Sequence, residues 1–299
     1  KITVGVSGSG KSTWAHKQWM ENPDGVTIVN RDKIRELLFG FTESNINEYY
    51  SMEKLGKREK EVTRYEDTLI HDALNHGKEV IVDATHLSIK YLERFKYWNV
   101  PTEIIVLPIG NIQVCIDRDK SRERSVGEDV IKKQAEKYRS LMKELDKNPI
   151  DFSPTQIFQS TGKKECFIFD IDGTLAHMNR DTRSPYDWHK VGEDIQDAPT
   201  VATLKSLKSA GAEIIICTGR DGSCALETAK WLKDHDISYR YMYIRDEGDC
   251  RADWIIKEEF WRDISKTYNI MGMFDDRLQV VRRARALGLK VFNVEYNNF

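Results

Sequence analysis

Residues 2–6, Ile-Thr-Val-Gly-Val, form a short apolar run that breaks into Gly5-Val6-Ser7-Gly8-Ser9-Gly10-Lys11-Ser12, and a helical pattern follows at 11–20. A strand, a glycine-rich turn and a helix in that order admit few folds. Glycines let successive backbone N–H groups point inward, and a helix N-terminus favours an anion there. The G-x-x-x-x-G-K-[ST] spacing in this context predicts a phosphate cradle, with Lys11 reaching the β and γ phosphates and the Ser12 hydroxyl on Mg²⁺. The plainer reading, a glycine-rich turn with a chance Lys-Ser, does not account for the flanking strand and helix.

The first half then alternates strand patterns at 26–29, 80–82 and 103–107 with helix patterns at 33–38 and 89–98. Such alternation predicts a parallel sheet covered by helices. The stretch 48–76 carries charge nearly throughout and reads as a solvated helix or helix pair. At 148–164 the pattern breaks down into Pro, Ser, Thr and Gly, which suits a linker. A second alternation follows: strands at 165–169, 213–217, 240–244, 270–274 and 290–294, with helices at 200–209, 224–235, 252–267 and 278–287. The expected class is α/β, with domains at 1–147 and 165–299, each a parallel sheet flanked by helices.

Ligands of open parallel sheets gather beyond the carboxyl ends of the strands. Asp32, in Asn30-Arg31-Asp32-Lys33-Ile34-Arg35, falls on that rim and could take a proton from an attacking hydroxyl. It could equally cap the helix at 33–38. Arg35, one helical turn on, could bind an acceptor phosphate. Asp83, ending the third strand, could hold the Mg²⁺ shell, orient Arg35 or cap a turn. Arg118, Arg122 and Arg124 follow the last strand at helical spacing and could close over a nucleotide.

In the second half a buried-strand pattern ends in Asp170-Ile171-Asp172-Gly173-Thr174. Carboxylates at i and i+2 point to one side of an extended chain and repel without a cation between them. Three later pieces complete such a site: Thr218-Gly219-Arg220 with a hydroxyl, Lys257 with an ammonium, and Asp275-Asp276 with two more carboxylates. Oxygen donors with few histidines select Mg²⁺ over zinc. A lone Asp-Gly after a strand is usually a turn; four ordered pieces are far more specific.

The net charge of −2 gives no general affinity for polyanions, so nucleic-acid contacts would rest on local basic patches. The five cysteines are scattered and unpaired in spacing, which reads as reduced thiols in a cytosolic compartment. No run of 18 or more apolar residues marks a membrane span, and the run at 2–6 is too short for a signal peptide.

The motifs D-I-D-G-T, T-G-R, the later Lys and F-D-D-R resemble the haloacid-dehalogenase (HAD-like) phosphatase superfamily. Behind a P-loop NTPase-like half with N-R-D-x-x-R and an Arg-rich lid, the chain is similar over nearly its whole length to the bacteriophage-type polynucleotide kinase/phosphatase family. That resemblance implies ATP bound by Ser7, Gly8, Ser9, Gly10, Lys11, Ser12, Thr13, Arg118 and Arg122. It implies Asp32 as general base, Arg35 on the acceptor phosphate with Asp83 supporting it, and Arg122 as lid arginine. In the second half it implies Asp170 as nucleophile, Asp172 as acid/base, and Thr218, Gly219, Arg220, Arg245 and Lys257 around the phosphoryl group. Mg²⁺ would be held by Asp170, Asp172, Asp275 and Asp276. The implied partners are DNA or RNA ends and a nucleic-acid ligase, in a cytoplasm (the host's, if phage-encoded), with a homo-oligomer open. His86 stands where an amide residue is common. Rival readings are a small-molecule kinase/phosphatase acting on a sugar or nucleotide, and a non-enzymatic nucleotide-dependent switch.

Overall fold

The computed structural model describes residues 1–41, 49–50, 55–122, 125–179, 184 and 187–297; Arg124 and parts of the 48–76 stretch fall outside them. The chain divides into two compact units, Lys1–Ser153 and Pro154–Phe299.

In the first unit, the strands β1 (Ile2–Val4), β2 (Val26–Asn30), β3 (Glu79–Asp83) and β4 (Ile104–Val106) form a parallel sheet in the order β2-β3-β1-β4. Their β-branched residues suit a sheet covered on both faces, with Ile2, Val4, Val29 and Ile81 almost wholly buried. Helices α1 (Lys11–Glu21), α2 (Arg31–Phe39), α3 (Leu55–Asn75), α4 (Ile89–Glu93), α5 (Ile112–Lys120) and α6 (Glu128–Lys147) accompany the sheet.

Two expectations need correcting here. The charged stretch is not simply a solvated helix, because α3 buries Val62, Glu66, Ile70 and Ala73. Glu66, wholly buried, takes Arg31 at 2.7 Å and Arg94 at 2.6 Å. Breaking a buried pair from one side costs about 3–5 kcal/mol, because the other charge is left stranded. Nor does Asp32 cap α2. Asn30 does, its side chain accepting from the backbone N–H groups of Asp32 and Lys33, so Asp32 lies in the first turn.

The second unit has a five-stranded parallel sheet in the order β11-β10-β5-β8-β9. Its strands are β5 (Lys164–Phe169), β8 (Glu213–Asp221), β9 (Tyr241–Arg245), β10 (Tyr268–Arg277) and β11 (Val291–Asn297). Helices α7 (Ala198–Ser209), α8 (Ala225–Asp234), α9 (Asp253–Thr267) and α10 (Leu278–Ala286) alternate with them. Phe169 stacks on Phe274 at 4.3 Å, and Trp231 and Trp261 are buried core anchors. Replacing either tryptophan by Ala removes about 3–5 kcal/mol of stability. The sequence has no pattern at 176–197, where the chain forms a two-stranded antiparallel sheet, β6 (Ala176–His177) with β7 (Ile195–Gln196), around a 3-10 turn at Trp188–Glu193. All five cysteines are free and all but Cys250 are buried.

Candidate active sites

The first site lies where β1 runs into α1. Gly8 and Gly10 have φ of 77° and 96°, a region that side chains rarely enter, and a Cβ on Gly8 would sit 2.2 Å from the Cys115 carbonyl oxygen. The Ser7 N–H donates to Gln134 Oε1 at 2.7 Å, which ties the loop to α6. Lys11 is only 8% exposed and donates to the Val6 carbonyl at 2.7 Å. Burial lowers its ammonium to about 8, against an opposing pull from Asp83; nearby Arg122 adds to the fall. Arg122 and Arg118 are exposed, and Arg118 reaches the Gly8 carbonyl at 3.4 Å. Ser12 and Thr13 are exposed at the start of α1.

Sheet order places Asp83, ending β3, between the strand that leads to Asp32 and the strand that leads to the cradle. The resemblance pairs Asp83 with Arg35, and the geometry does not. The Asp83 carboxylate takes Asn30 Nδ2 at 3.0 Å and the Thr3 hydroxyl at 3.5 Å. Arg35 is held by Glu59 through two bonds of 2.9 Å, and it donates to Asp32 Oδ1 at 2.7 Å. Its planar fork matches a carboxylate two-handed, and Glu59 on α3 supplies one. Burial alone would raise Glu59, but hydrogen bonds from Arg35 and Arg31 hold it down to about 2. Arg35 is therefore tied to Asp32, whose side chain remains 50% exposed. His86, at φ 46°, pairs Nδ1 with the Thr3 carbonyl at 2.7 Å, and burial holds its pKa low.

The second site follows from strand register. β10 pairs with β5 so that Phe274 faces Phe169; the next residues, Asp275 and Asp170, therefore arrive side by side. Lys257 on α9 reaches in to Asp275 at 2.8 Å, Asp170 at 3.1 Å and Asp253 at 3.5 Å. Burial raises Asp170 well above the usual carboxylate range despite Lys257, and raises Asp275 to about 6. Lys257 would be lowered by burial, but Asp170, Asp253 and Asp275 outweigh that and raise it. Oxygens of Asp170, Asp275 and Asp276 lie within 4.8 Å of one another. Asp170 Oδ1 is buried and accepts no hydrogen bond. Hard anionic oxygens with one acceptor unsatisfied fit a divalent cation such as Mg²⁺. Gly173, at φ 78°, lets the chain pass: a Cβ there would be 2.2 Å from Asp276 Oδ2.

Three residues sit differently from expectation. Asp172 stands apart from the buried trio, gripped by Arg220 Nε at 2.9 Å and Nη2 at 2.8 Å. Arg220 is not an open phosphate ligand: its side chain is wholly buried, and it also donates to Asp194 at 2.6 Å and Thr228 at 3.3 Å. A buried guanidinium needs carboxylates, and these are the ones in reach. Arg245 instead staples a loop, donating to the carbonyls of Gly219, Asp249 and Arg251 at 2.8–2.9 Å. Thr218 is buried, its hydroxyl accepting from the Arg220 N–H at 3.2 Å. A Cβ on Gly219 would lie 2.1 Å from Asp253 Oδ1.

Four further residues shape the sites without a motif to mark them. Glu59 holds Arg35 and Asp194 holds Arg220. Asp119 accepts from Ser125, Val126 and Gly127 and so pins the chain beyond Arg122. Asp253 joins Lys257 to Arg277, at 3.3 Å from the latter. Only Asp253 has a local signal, its i,i+4 spacing to Lys257.

Residues 164–299 match the family model described as the polynucleotide kinase PNKP phosphatase domain, and residues 1–145 match that of an AAA domain. A putative bifunctional polynucleotide kinase/RNA ligase of Autographa californica nuclear polyhedrosis virus is 26% identical over 98% of this chain. The chain spans 42% of that relative's length. A solved chain from the Pnkp1/Rnl/Hen1 RNA repair complex is 28% identical, with a TM-score of 0.47, covering 100% of this chain and 96% of that one. The class C acid phosphatase of Bacillus anthracis with tungstate bound is 18% identical, with a TM-score of 0.33, over 42% of this chain and 55% of its own.

Proposed function

We propose, from the premise that residues 164–299 belong to the polynucleotide kinase phosphatase-domain family and residues 1–145 to the AAA domain family, that this chain heals nucleic-acid ends. It phosphorylates a 5′-hydroxyl from ATP and hydrolyses a 3′-phosphate. The observation that carries the reading is Asp170, buried at a strand end with one unsatisfied oxygen, with Lys257 3.1 Å from the other.

In the phosphatase, Asp170 attacks phosphorus; the Asp170 O–P bond forms as the P–O3′ bond breaks. Asp172 gives its proton to the 3′-oxygen, then takes one from the water that cleaves the aspartyl-phosphate. Lys257 holds Asp170 and Asp275 in place. In the kinase, the backbone N–H groups and Lys11 seat the β and γ phosphates, Asp32 accepts the proton of the 5′-hydroxyl, and Arg35 fixes Asp32. Arg118 and Arg122 meet the transferring phosphoryl group. Asp170, Asp275 and Asp276 in one unit and Ser12 in the other would hold Mg²⁺, which when bound would neutralise charge at phosphorus.

The name of the viral relative, a polynucleotide kinase/RNA ligase, favours RNA ends and work alongside a ligase. The test is an oligonucleotide bearing 5′-hydroxyl and 3′-phosphate, incubated with γ-labelled ATP and Mg²⁺ beside free nucleosides and sugars. Label entering the oligonucleotide and release of its 3′-phosphate are expected. Turnover of the small molecules alone would replace this reading with a metabolite kinase/phosphatase.

A further inference from the structure

Asp172 does not stand alone on its strand end. Arg220 grips both its oxygens, and every side-chain nitrogen of Arg220 is committed: Nε and Nη2 to Asp172, Nη1 to Thr228, and Nη2 also to Asp194 at 2.6 Å. The side chains of Arg220 and Asp194 are both 0% exposed, whereas that of Asp172 is 36% exposed. One end of the chain Asp194–Arg220–Asp172 is sealed in the core and the other is open to solvent. Asp194 is itself fixed. It follows the 3-10 turn Trp188–Glu193, and its carbonyl accepts from Trp231 Nε1 on α8 at 2.8 Å. Its partner Arg220 lies 26 residues further along the sequence.

We infer that Asp194 is a positioning residue for the phosphatase step: it locks Arg220 so that the Arg220 fork holds Asp172 in line with the leaving 3′-oxygen. The inference rests on the reading of Asp172 as the acid/base group. A planar guanidinium held by Asp172 at Nε and Nη2, by Asp194 at Nη2 and by Thr228 at Nη1 cannot rotate without breaking charge-assisted bonds. Without the inner carboxylate, Arg220 becomes a buried cation with a single charged partner, and it is free to swing Asp172 off line. Proton delivery matters only when the leaving oxygen is a poor leaving group. The 3′-oxygen of a sugar is one; the oxygen of p-nitrophenol departs without a proton.

The two substrates therefore separate positioning from mere stability. In the full chain with Mg²⁺, Asp194→Asn should lower kcat/KM, which reports steps only through cleavage of the P–O bond and not the later hydrolysis common to both substrates, by roughly 10² for an oligonucleotide 3′-phosphate, the usual worth of a placed acid/base group. It should lower kcat/KM for p-nitrophenyl phosphate far less. Trp231→Phe, which removes the hydrogen bond to the Asp194 carbonyl, should show the same selectivity at smaller amplitude. Equal losses on both substrates in a folded Asp194→Asn protein overturn the inference. If that variant does not fold, the ratio is read on Trp231→Phe: a selective loss supports the inference and an equal loss overturns it. Wild-type protein that turns over neither substrate overturns the phosphatase reading itself, and the inference falls with it.

Discussion

Two buried lysines divide the molecule's chemistry. Lys11, 8% exposed, has a backbone carbonyl as its hydrogen-bond partner and is lowered to about 8, chiefly by burial. Lys257, 1% exposed, is surrounded by Asp170, Asp253 and Asp275 and is raised well above the ordinary lysine value, the carboxylates outweighing burial. Burial is similar; the company differs. The second site supplies its own counter-charge, so its geometry is set before substrate arrives. The cradle leaves its ammonium short of anions, and on the proposed reading nucleotide phosphates would bring them. The groups expected to act beside it, Ser12, Arg118 and Arg122, are exposed, unlike Lys11 itself. One site is built in advance and the other is completed by its ligand.

The sharpest way to break this contrast is to remove one nucleophile or base at a time. Asp170→Asn should abolish 3′-phosphatase activity by roughly 10⁴ or more, the scale for losing a covalent nucleophile. Kinase activity, measured by end-labelling, should stay near wild type. Asp32→Asn should do the reverse. Loss of both reactions in either folded variant would mean that the sites do not work separately. A smaller effect is expected at the ligand-completed site. Arg122→Ala should lower kinase kcat by roughly 10² or more, with less change in ATP affinity, because in its proposed role its charge would meet the phosphoryl group most strongly in the transition state. An unchanged kcat in steady-state assays would take Arg122 out of the reaction.

The same contrast governs what can be read from the chain. The cradle and the D-x-D-G-T strand end are local patterns: spacing alone places their groups, and the strand register then brings Asp275 beside Asp170. The supporting charges are not local. Glu59 meets Arg35 across 24 residues, and Asp194 meets Arg220 across 26. A glutamate in a charged helix looks solvated until the fold shows which arginine it faces. That is why α3 reads as a solvent face although Glu66 is wholly buried. The stretch at 176–197 carries no period at all, so Asp194 gives no signal. Arginines mislead for a related reason. The resemblance sets Arg220 and Arg245 at the phosphoryl group, but their partners are this chain's own carboxylates, carbonyls and the Thr228 hydroxyl.

The smallest effect tests the lysine comparison directly through pH. In the free protein Lys11 gives up its proton near pH 8, whereas an unfolded lysine does so near 10.4. ATP phosphates favour the ammonium. Below pH 8 the charged form is present before binding, and ATP affinity should be flat. As pH rises through 8, binding must also recapture a proton, so Kd should climb toward a limit of about tenfold per pH unit. Calorimetry near pH 8.5 in buffers of different ionisation enthalpy should show net proton uptake on ATP binding. Lys11→Met should bind more weakly and lose the uptake. Lys257 remains an ammonium throughout this window because its shift runs upward. The KM for a 3′-phosphate should therefore show no matching inflection near pH 8. A flat ATP affinity from pH 7 to 9.5, with no proton taken up, would mean that Lys11 has counter-charge enough without its ligand, and the distinction between a completed and a pre-built site would fall.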